Sequence, residues 1–393
     1  MDNNTTAGIT IKCKAAVCRR AGEPLLIEEI QVAPPRAWEV RIKILCTSLC
    51  HTDVTFWKLD FPPFAAFPRI FGHEGVGVVE SVGENVEEVK PGDMVVPSFL
   101  AECGECRDCK SLKSNMCSKF KAPNPNGVPR DGSSRFKDSN GETLNHFLWV
   151  SSFSEYTVLD VTHVVKIGDG IPPEKACLLS CGVSTGIGAA WKVADIEEGS
   201  TVAIFGLGAV GLAVAEGARI RKASKIIGVD LNPSKHELGK KYGVTDFINP
   251  ITLGDKPLSQ VIQEMTDGGV DYSFECVGSR AVFAEAFKSS RPGGSKTVMI
   301  GVATDGLPTS FEPHELYRGR SVSGTYLGGV KPKTDIPLFV QKHLDQSEKC
   351  GIVVQELNLE GFISHQIEFK DINKAFELLE QGKSVRCIIW MEK

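Results

Sequence analysis

The chain has 393 residues, of which 42% are hydrophobic and 24% are charged, and its formal net charge is −5. This length exceeds what one hydrophobic core usually supports, so we expect two domains, and the mild acidity gives no reason to expect a nucleic-acid partner. The sequence contains neither a basic N-terminal region followed by an apolar run nor an apolar stretch of about 18 residues, which predicts a cytoplasmic protein without a membrane span.

The first part of the chain, residues 13–100, contains short apolar runs separated by glycine and proline. Evenly spaced runs of this kind predict a β-rich, barrel-like first domain. The runs are KAAVCR, EVRIKILCTSL, GVGVVESVG and GDMVVPSF.

The sequence has thirteen cysteines, which in a reducing compartment are better explained by metal ligation or burial than by disulfides. Cys103, Cys106, Cys109 and Cys117 follow the pattern C-x2-C-x2-C-x7-C within fifteen residues. Four thiolates at this spacing fold a chain around one tetrahedral ion and leave no position for substrate, so we expect a structural zinc. An iron–sulfur cluster is the alternative, although the spacing does not suit the usual cluster-binding runs.

The segment that follows these cysteines, residues 119–146, is polar and rich in turn-forming residues. Because such clusters connect regular elements, we predict a surface loop here.

Three further metal-type side chains are dispersed along the chain: Cys50 in SLCHTD, His73 in FGHEG and Cys181 in LLSCGVSTG. Two cysteines and one histidine leave a fourth coordination position open for water or substrate, which is the arrangement of a catalytic zinc. Taken singly, each cysteine is more often a buried apolar residue, and the histidine has an equally ordinary place in a core. The three contexts together favour a metal site.

After about residue 183 the sequence alternates apolar strands with helical periodicity, as in TVAIFGLGAVGLAVAEGARIR, KIIGVDLNP and GVDYSFECVG. The runs KTVMIG and VSGTY continue this pattern, which predicts βαβ units around a parallel sheet. The last segment reads as an amphipathic helix, DINKAFELLEQGKS, followed by a strand, VRCIIW.

A dinucleotide-binding motif follows the strand TVAIF: Gly206, Gly208 and Gly211 form GLGAVG and open a helix. These glycines allow a tight turn and the close approach of a pyrophosphate to the helix N-terminus. Asp230 ends the next strand, IIGVD, where a carboxylate bonds ribose hydroxyls and repels a 2′-phosphate, so NAD(H) is favoured over NADP(H). Lys235 suits a ribose hydroxyl or a 2′-phosphate equally and leaves the choice open.

The chain resembles the zinc-containing medium-chain alcohol dehydrogenases, and within them the plant alcohol-dehydrogenase-like branch. The resemblance runs from about residue 12 to the end and rests on GHE, the four-cysteine loop, SCGVSTGIGAAW and GLGAVG in this order. The Cys–His–Cys ligand set is itself the known set of alcohol dehydrogenase. The resemblance implies an α/β protein with a GroES-like, β-rich catalytic domain (1–183 and 326–393) and a doubly wound Rossmann cofactor domain (184–325).

The resemblance also implies roles around a catalytic zinc bound by Cys50, His73 and Cys181. Asp53 would orient His73, and Glu74 would lie just behind the metal as an alternate ligand. Both carboxylates have an ordinary reading as hydrogen-bonded residues at strand ends.

On the side of the alcohol and cofactor, the resemblance implies that Thr52 takes the alcohol proton and that His51 contacts the pyrophosphate. Arg386 in GKSVR matches a second cationic contact to the cofactor. The alternatives are a helix N-cap for Thr52 and solvated surface cations for His51 and Arg386.

The sequence departs from the family pattern in two places. Thr55 replaces the histidine that many relatives use at the solvent end of the proton relay, so proton exit must use His51, water or the ribose more directly. Lys121 replaces the arginine by which the glutathione-dependent formaldehyde dehydrogenase branch binds its anionic substrate, which weakens assignment to that branch. The expected pocket residues are aromatic and are equally plausible in a core: Phe56, Trp57 and Phe99.

The resemblance therefore predicts a homodimeric dehydrogenase or reductase with two zinc ions per chain, one catalytic and one structural, acting with NAD(H) on a small-molecule alcohol or aldehyde. A hydroxynitrile lyase that uses the same zinc without net redox change is the alternative within enzymes. A non-catalytic cofactor-binding protein is a third possibility, against which the intact ligand set argues. Fold alone does not decide between them.

Overall fold

The computed structural model of the chain describes residues 6–62, 64–120, 124, 126–303, 308–344 and 357–392. Lys121, which the sequence comparison singled out, lies outside the described residues. The strands of the described residues are Ile11–Cys18 (β1), Leu26–Val32 (β2), Glu39–Ser48 (β3), Arg69–Ile70 (β4), Glu74–Val82 (β5), Met94–Pro97 (β6), Phe136–Asp138 (β7), Tyr156–Asp160 (β8), Val164–Lys166 (β9), Thr201–Phe205 (β10), Lys225–Val229 (β11), Asp246–Ile248 (β12), Tyr272–Glu275 (β13), Lys296–Met299 (β14), Ser321–Gly324 (β15), Ile363–Glu368 (β16) and Arg386–Trp390 (β17).

The α-helices of the same residues are short, with four to thirteen residues each. The α-helices are His51–Lys58 (α1), Arg107–Lys110 (α2), Pro173–Leu178 (α3), Gly182–Gly188 (α4), Ala209–Ile220 (α5), Lys235–Lys241 (α6), Leu258–Met265 (α7), Arg280–Ser289 (α8), Pro313–Tyr317 (α9), Pro332–Leu344 (α10) and Ile372–Glu380 (α11). A π-helical stretch covers Ala189–Ala194, and 3-10 turns cover Val161–His163, Pro250–Leu253, Leu327–Gly329, Glu360–Phe362 and Phe369–Asp371. No helix of the described residues is long and apolar enough to cross a membrane.

The chain divides into two compact units. The first contains Met1–Cys181, Lys331–Leu344 and Phe362–Lys393, and the second contains Gly182–Val330 and Asp345–Gly361. The second unit thus interrupts the first.

The sequence-based assignment of all residues from 326 onward to the first unit is wrong at residues 326–330 and 357–361, which belong to the second unit. Leu357 and Leu359 are buried there, and the N–H of Asn358 donates to the buried carboxylate of Glu216 on α5 at 2.9 Å. A connecting segment of this length has no periodic pattern that would show which core its leucines enter. The end of the Rossmann region, predicted at residue 325, lies at Val330.

The first unit is built on two sheets, which confirms the predicted β-rich domain. One has the order β16-β17-β3-β5-β6-β9, with β8 also paired to β3, and the other has the order β4-β1-β2-β7. All these pairs are antiparallel except β16 with β17. The predicted C-terminal helix and strand are observed as α11 and β17.

The predicted surface loop at 119–146 is wrong in its second half. The strand β7 pairs with β2, and Arg135, Phe136 and His146 beside it are buried. Arg135 carries its charge inside because its guanidinium Nε donates to Glu39 at 2.8 Å, in an ion pair that is itself buried. A polar composition predicts exposure only when the polar groups lack partners within the fold.

The second unit confirms the predicted doubly wound fold. Its six strands pair in parallel in the order β12-β11-β10-β13-β14-β15. Phe205, Ile227 and Ile262 belong to one buried cluster in which side chains of the central strands meet α7. The loops that leave the carboxyl ends of β10 and β13 lie on either side of the point where the strand order reverses, which is where such sheets bind ligands.

Candidate metal centres and dinucleotide site

The three dispersed ligands converge in the first unit. Cys50 immediately precedes α1, His73 immediately precedes β5, and Cys181 lies between α3 and α4. Their ligand atoms, together with a carboxylate oxygen of Glu74, all lie within 4.8 Å of one another, and all four residues are buried. This spacing allows the four side chains to face one metal ion.

Asp53 holds this group together from the first turn of α1. Its Oδ1 lies 3.0 Å from His73 Nδ1 and accepts the N–H of Gly72 at 3.1 Å, while Oδ2 accepts the N–H of Cys50 at 3.0 Å. A carboxylate at Nδ1 keeps the proton there and leaves Nε2 free for a metal. Burial alone would lower the pKa of His73, but the charges of Asp53 and Cys50 outweigh it and raise that pKa.

The two sulfur ligands, Cys50 and Cys181, share one hydrogen bond, which shifts their pKa values in opposite directions. The Cys181 thiol hydrogen-bonds the sulfur of Cys50 and lowers the pKa of Cys50, against the effect of burial, with the charge of Arg386 adding to the lowering. The pKa of Cys181 is correspondingly raised by the same hydrogen bond and by burial. A bound metal requires both sulfurs as thiolates and supplies the charge that stabilises the second one.

Arg386 lies at this centre rather than on a surface. Its side chain is paired with Glu74 through two bonds, Nε to Oε2 at 2.8 Å and Nη2 to Oε1 at 2.9 Å, and Nη2 lies 3.6 Å from Cys50 Sγ. The residue is 5% exposed, so its reading as a solvated surface cation is wrong. A contact between Arg386 and a pyrophosphate stays a prediction, because the structure shows the guanidinium bound to Glu74.

The remaining predicted residues of α1 are placed differently. Cys50 is the N-cap, which excludes the N-cap reading of Thr52; Thr52 is half-buried in the first turn and His51 is exposed. Trp57 turns away from the metal ligands, because its indole donates to the carbonyl of Glu23 at 2.7 Å and its ring packs on Phe376.

Aromatic rings surround His73. Phe99 packs edge-on against its ring at 5.8 Å between centroids, and Phe147 does so at 6.0 Å. Phe56 is one layer further out, 5.5 Å from Phe147. Sequence reasoning found Phe99 and Phe56 and missed Phe147, which follows a polar segment without any motif.

The four-cysteine loop brings its sulfurs together in the way a tetrahedral ion requires. The ligand atoms of Cys103, Cys106, Cys109 and Cys117 lie within 4.8 Å of one another. Backbone N–H groups point at the sulfurs, from Cys106 to Cys103 Sγ at 3.4 Å and from Cys109 to Cys106 Sγ at 3.3 Å. Burial raises the pKa of Cys106, but hydrogen bonds from Ser118 and from the N–H of Cys109 outweigh it and lower that pKa to about 5. The chain itself therefore favours a thiolate at Cys106, whereas burial raises the pKa of Cys109 to about 12 and also raises the pKa of Cys117.

This loop is also attached to the segment that re-enters the first unit. The ammonium group of Lys331 donates to the carbonyls of Cys109 at 2.5 Å and Ser111 at 2.7 Å. The carboxylate of Glu102 accepts the N–H groups of Lys333 at 2.7 Å and Thr334 at 3.1 Å in the first turn of α10.

The glycine loop in the second unit has the geometry that the motif predicts. Gly206 follows β10 with a φ of +92°, and Gly208 is the N-cap of α5. A Cβ atom at Gly211 would lie 1.8 Å from the carbonyl oxygen of Gly206, so the close packing of α5 on the loop requires glycine there. Asp230 supports the same loop, because its Oδ2 accepts the N–H of Leu207 at 2.8 Å.

A cavity of about 490 Å³ opens beside this loop. Asp230 is one of its few polar lining residues, while most of its lining is apolar, including Pro250, Leu253, Val277 and Val282. Lys235 begins α6 nearby, and burial lowers its pKa against the opposing charge of Asp230. An apolar slot with a carboxylate in its lining suits a flat aromatic base attached to a sugar.

Comparison with known proteins agrees with this description. Residues 36–169 match the family described as alcohol dehydrogenase GroES-like domain, and residues 209–343 match the family described as zinc-binding dehydrogenase. Alcohol dehydrogenase-like 2 of Arabidopsis thaliana is 60% identical over 389 residues, which are 99% of this chain and 98% of that protein. Alcohol dehydrogenase 1 of Petunia hybrida is 52% identical over 391 residues, which are 99% of this chain and 100% of that protein.

Solved structures show the same likeness. An alcohol dehydrogenase zinc-binding domain protein from Burkholderia ambifaria superimposes with a TM-score of 0.87 at 32% identity, covering 98% of this chain and 100% of that one. Benzyl alcohol dehydrogenase from Acinetobacter calcoaceticus superimposes with a TM-score of 0.86 at 29% identity, covering 97% and 100%.

Proposed function

Because this chain belongs to the zinc-containing medium-chain alcohol dehydrogenase superfamily, we propose that it is a zinc-dependent, NAD(H)-linked alcohol dehydrogenase or aldehyde reductase. The convergence of Cys50, His73 and Cys181 carries this proposal, since two thiolates and one imidazole leave a coordination position for substrate. Zinc supplies Lewis acidity that favours a deprotonated alcohol oxygen, and the nicotinamide supplies the hydride acceptor.

The residues around the ligands prepare this chemistry. Asp53 fixes the ring of His73 in the orientation and tautomer that a metal ligand needs. Arg386 donates two hydrogen bonds to Glu74 beside the ligand sulfurs. Glu74 therefore lies close to the metal position, and the positive charge of Arg386 offsets the negative charge of its carboxylate. Phe99 and Phe147 exclude water from the imidazole side of the centre.

Proton transfer is assigned to the first turn of α1. The half-buried hydroxyl of Thr52 accepts the proton of the alcohol and releases its own proton towards the ribose hydroxyls and solvent. Thr55 on the same helix has no titratable group, so proton exit uses the exposed His51, water or the ribose more directly.

NAD(H) is the proposed cofactor because of Asp230. Asp230 lines the apolar cavity and follows β11, where a carboxylate would bond the ribose hydroxyls and repel a 2′-phosphate. The homodimer, the cytoplasmic location and a small-molecule alcohol or aldehyde as substrate are supported by the family resemblance. The comparisons give no support to the alternative of a hydroxynitrile lyase.

The proposal is tested by metal analysis combined with the absorbance of the reduced cofactor, on a panel of alcohols and aldehydes with NAD(H) and NADP(H). We expect two zinc ions per wild-type chain and turnover with NAD(H). Cys50→Ser should retain one zinc ion and lose turnover. Cys13→Ser, which alters a buried cysteine of β1, should retain both zinc ions. Full activity of Cys50→Ser, or a wild type that turns over without any nicotinamide cofactor, would refute the proposal.

A further inference from the structure

A buried carboxylate that the proposed chemistry does not use lies at the carboxyl end of β13. Glu275 is the last residue of this strand and is 1% exposed. Its Oε1 accepts three successive backbone N–H groups, from Val277 at 2.8 Å, Gly278 at 2.7 Å and Ser279 at 3.3 Å. The side chain thus fills the concave turn that leads from β13 to α8.

The same residue also holds the next loop of the sheet. Its backbone carbonyl accepts the N–H groups of Ile300 at 2.9 Å and Gly301 at 3.1 Å, directly after β14. Its Oε2 faces Gly301, since a Cβ atom there would lie 2.7 Å from it. The two loops touch backbone to backbone, because a Cβ atom on Gly278, whose φ is +85°, would lie 2.6 Å from the carbonyl oxygen of Val302. Glu275 is the common anchor of both turns.

One of these turns forms a wall of the cavity beside the glycine loop. Val277 lines that cavity together with Gly206, and a Cβ atom at Gly206 would lie 2.8 Å from Val277 Cγ2. Val277 is nevertheless 55% exposed, so its apolar side chain is presented to the cavity rather than packed in the core. The position of Val277 opposite Gly206 sets the width of the slot.

We propose that Glu275 is a positioning residue for the dinucleotide cofactor. It fixes the turn Val277–Ser279 so that Val277 stands opposite Gly206, at the separation that cofactor binding requires. The identity of the ligand rests on the proposed function, whereas the positioning role rests on the contacts of Glu275 itself. Glu275 touches the two turns and lies behind the cavity wall, so it acts through Val277.

A carboxylate is the side chain that this place requires. Three N–H groups converge on one oxygen, and all three would lose their common acceptor in a part-buried turn if that oxygen were removed. In Glu275→Gln the amide carries a single oxygen, so an NH₂ group must face either these three N–H groups or Gly301. With the NH₂ group towards the three N–H groups, the turn has to shift and Val277 moves with it. With the NH₂ group towards Gly301, the loop after β14 is displaced, and this loop touches the turn where Gly278 meets Val302.

The test uses the full-length, zinc-loaded protein and follows NADH binding by the change in nicotinamide fluorescence. Glu275→Gln should weaken NADH binding at least tenfold and raise the KM for NAD, while zinc content and the KM for the alcohol at saturating NAD stay at wild-type values. Val277→Ala should weaken NADH binding in the same direction. The matched control is Glu198→Gln, which removes the charge of an exposed carboxylate paired with Lys222, and it should bind NADH as the wild type does.

A purely structural role would lower the melting temperature of Glu275→Gln but leave NADH affinity unchanged, and that result would overturn the inference. If Glu275→Gln does not fold, Val277→Ala decides: wild-type NADH affinity in that variant overturns the inference and a weakened affinity supports it. A wild-type protein that binds neither NADH nor NADPH would instead overturn the proposed function.

Discussion

Replacing Asp53 by asparagine is expected to weaken zinc binding at Cys50, His73 and Cys181. The carboxylate of Asp53 accepts on both sides, from Gly72 and His73 at one oxygen and from Cys50 at the other. An amide of the same shape has one oxygen. If the NH₂ group of the asparagine faces His73, the ring must accept at Nδ1 and carry its proton at Nε2, where the metal needs a lone pair. If the NH₂ group faces Cys50 instead, it opposes the backbone N–H of Cys50, and both groups are donors.

The expected loss follows from these contacts. Removing the partner that orients a metal-binding histidine typically lowers metal affinity 10- to 100-fold, which corresponds to about 1.4–2.7 kcal/mol. A single buried N–H left without an acceptor costs about 1–3 kcal/mol, so both outcomes of the amide orientation lead to a loss of similar size. The fold is retained because the volume of the side chain does not change.

The assay is a competition titration with a zinc chelator, with bound zinc counted per chain by native mass spectrometry. Asp53→Asn should lose one zinc ion at 10- to 100-fold lower chelator concentration than the wild type, while the zinc in the four-cysteine loop is retained. Asp93→Asn is the control, because Asp93 pairs with Lys166 and touches no metal ligand. If Asp53→Asn holds both ions as tightly as the wild type, the assigned role of Asp53 is wrong.

Three further variants test other parts of the structure. Gly211→Ala should cost about 1–3 kcal/mol or more, since its Cβ would meet the Gly206 carbonyl at 1.8 Å; chemical denaturation checks this, and wild-type stability would contradict it. Lys331→Met removes two hydrogen bonds to loop carbonyls and should speed zinc release from the four-cysteine loop to a chromogenic chelator; an unchanged release rate would contradict the anchoring role. Burial lowers the pKa of His146 to about 3, so below about pH 6.5 the unfolded chain takes up a proton that the folded chain does not bind. His146 should therefore by itself lower stability by about 2 kcal/mol between pH 7 and 5, and His163, whose pKa burial lowers to about 4, acts in the same direction. His146→Phe should flatten this pH dependence of unfolding, and an equally steep dependence in the variant would count against it.

Features determined by short segments could be predicted from the sequence. The glycine loop and the four-cysteine loop each close within a few residues, so spacing alone specifies their geometry. The alternation of apolar runs likewise predicted the parallel sheet, because a strand buried on both faces must be apolar along its length. The convergence of Cys50, His73 and Cys181 came from the family resemblance and their chemical types, since no local pattern links them.

Features that depend on pairs of distant residues could not be predicted. Arg386 and Glu74 are 312 positions apart, and each by itself is typical of a solvated surface residue. Arg135 and Glu39 form a buried pair inside a segment whose composition indicated a loop. The sequence pattern indicates only that Glu275 belongs to a strand. Its role depends on three backbone N–H groups of a turn that has no sequence motif.

Cys181 is the last residue of the first unit, and the helix of the second unit begins at Gly182. The metal ligand Cys181 is therefore joined by a single peptide bond to the first residue of the second unit, and no linker lies between them. For anyone recombining cofactor units between related enzymes, a junction at this bond that adds or deletes even one residue would displace a coordinating sulfur. Chimeric enzymes that are intended to remain active should therefore take residues Ser180–Gly182 together from the same parent.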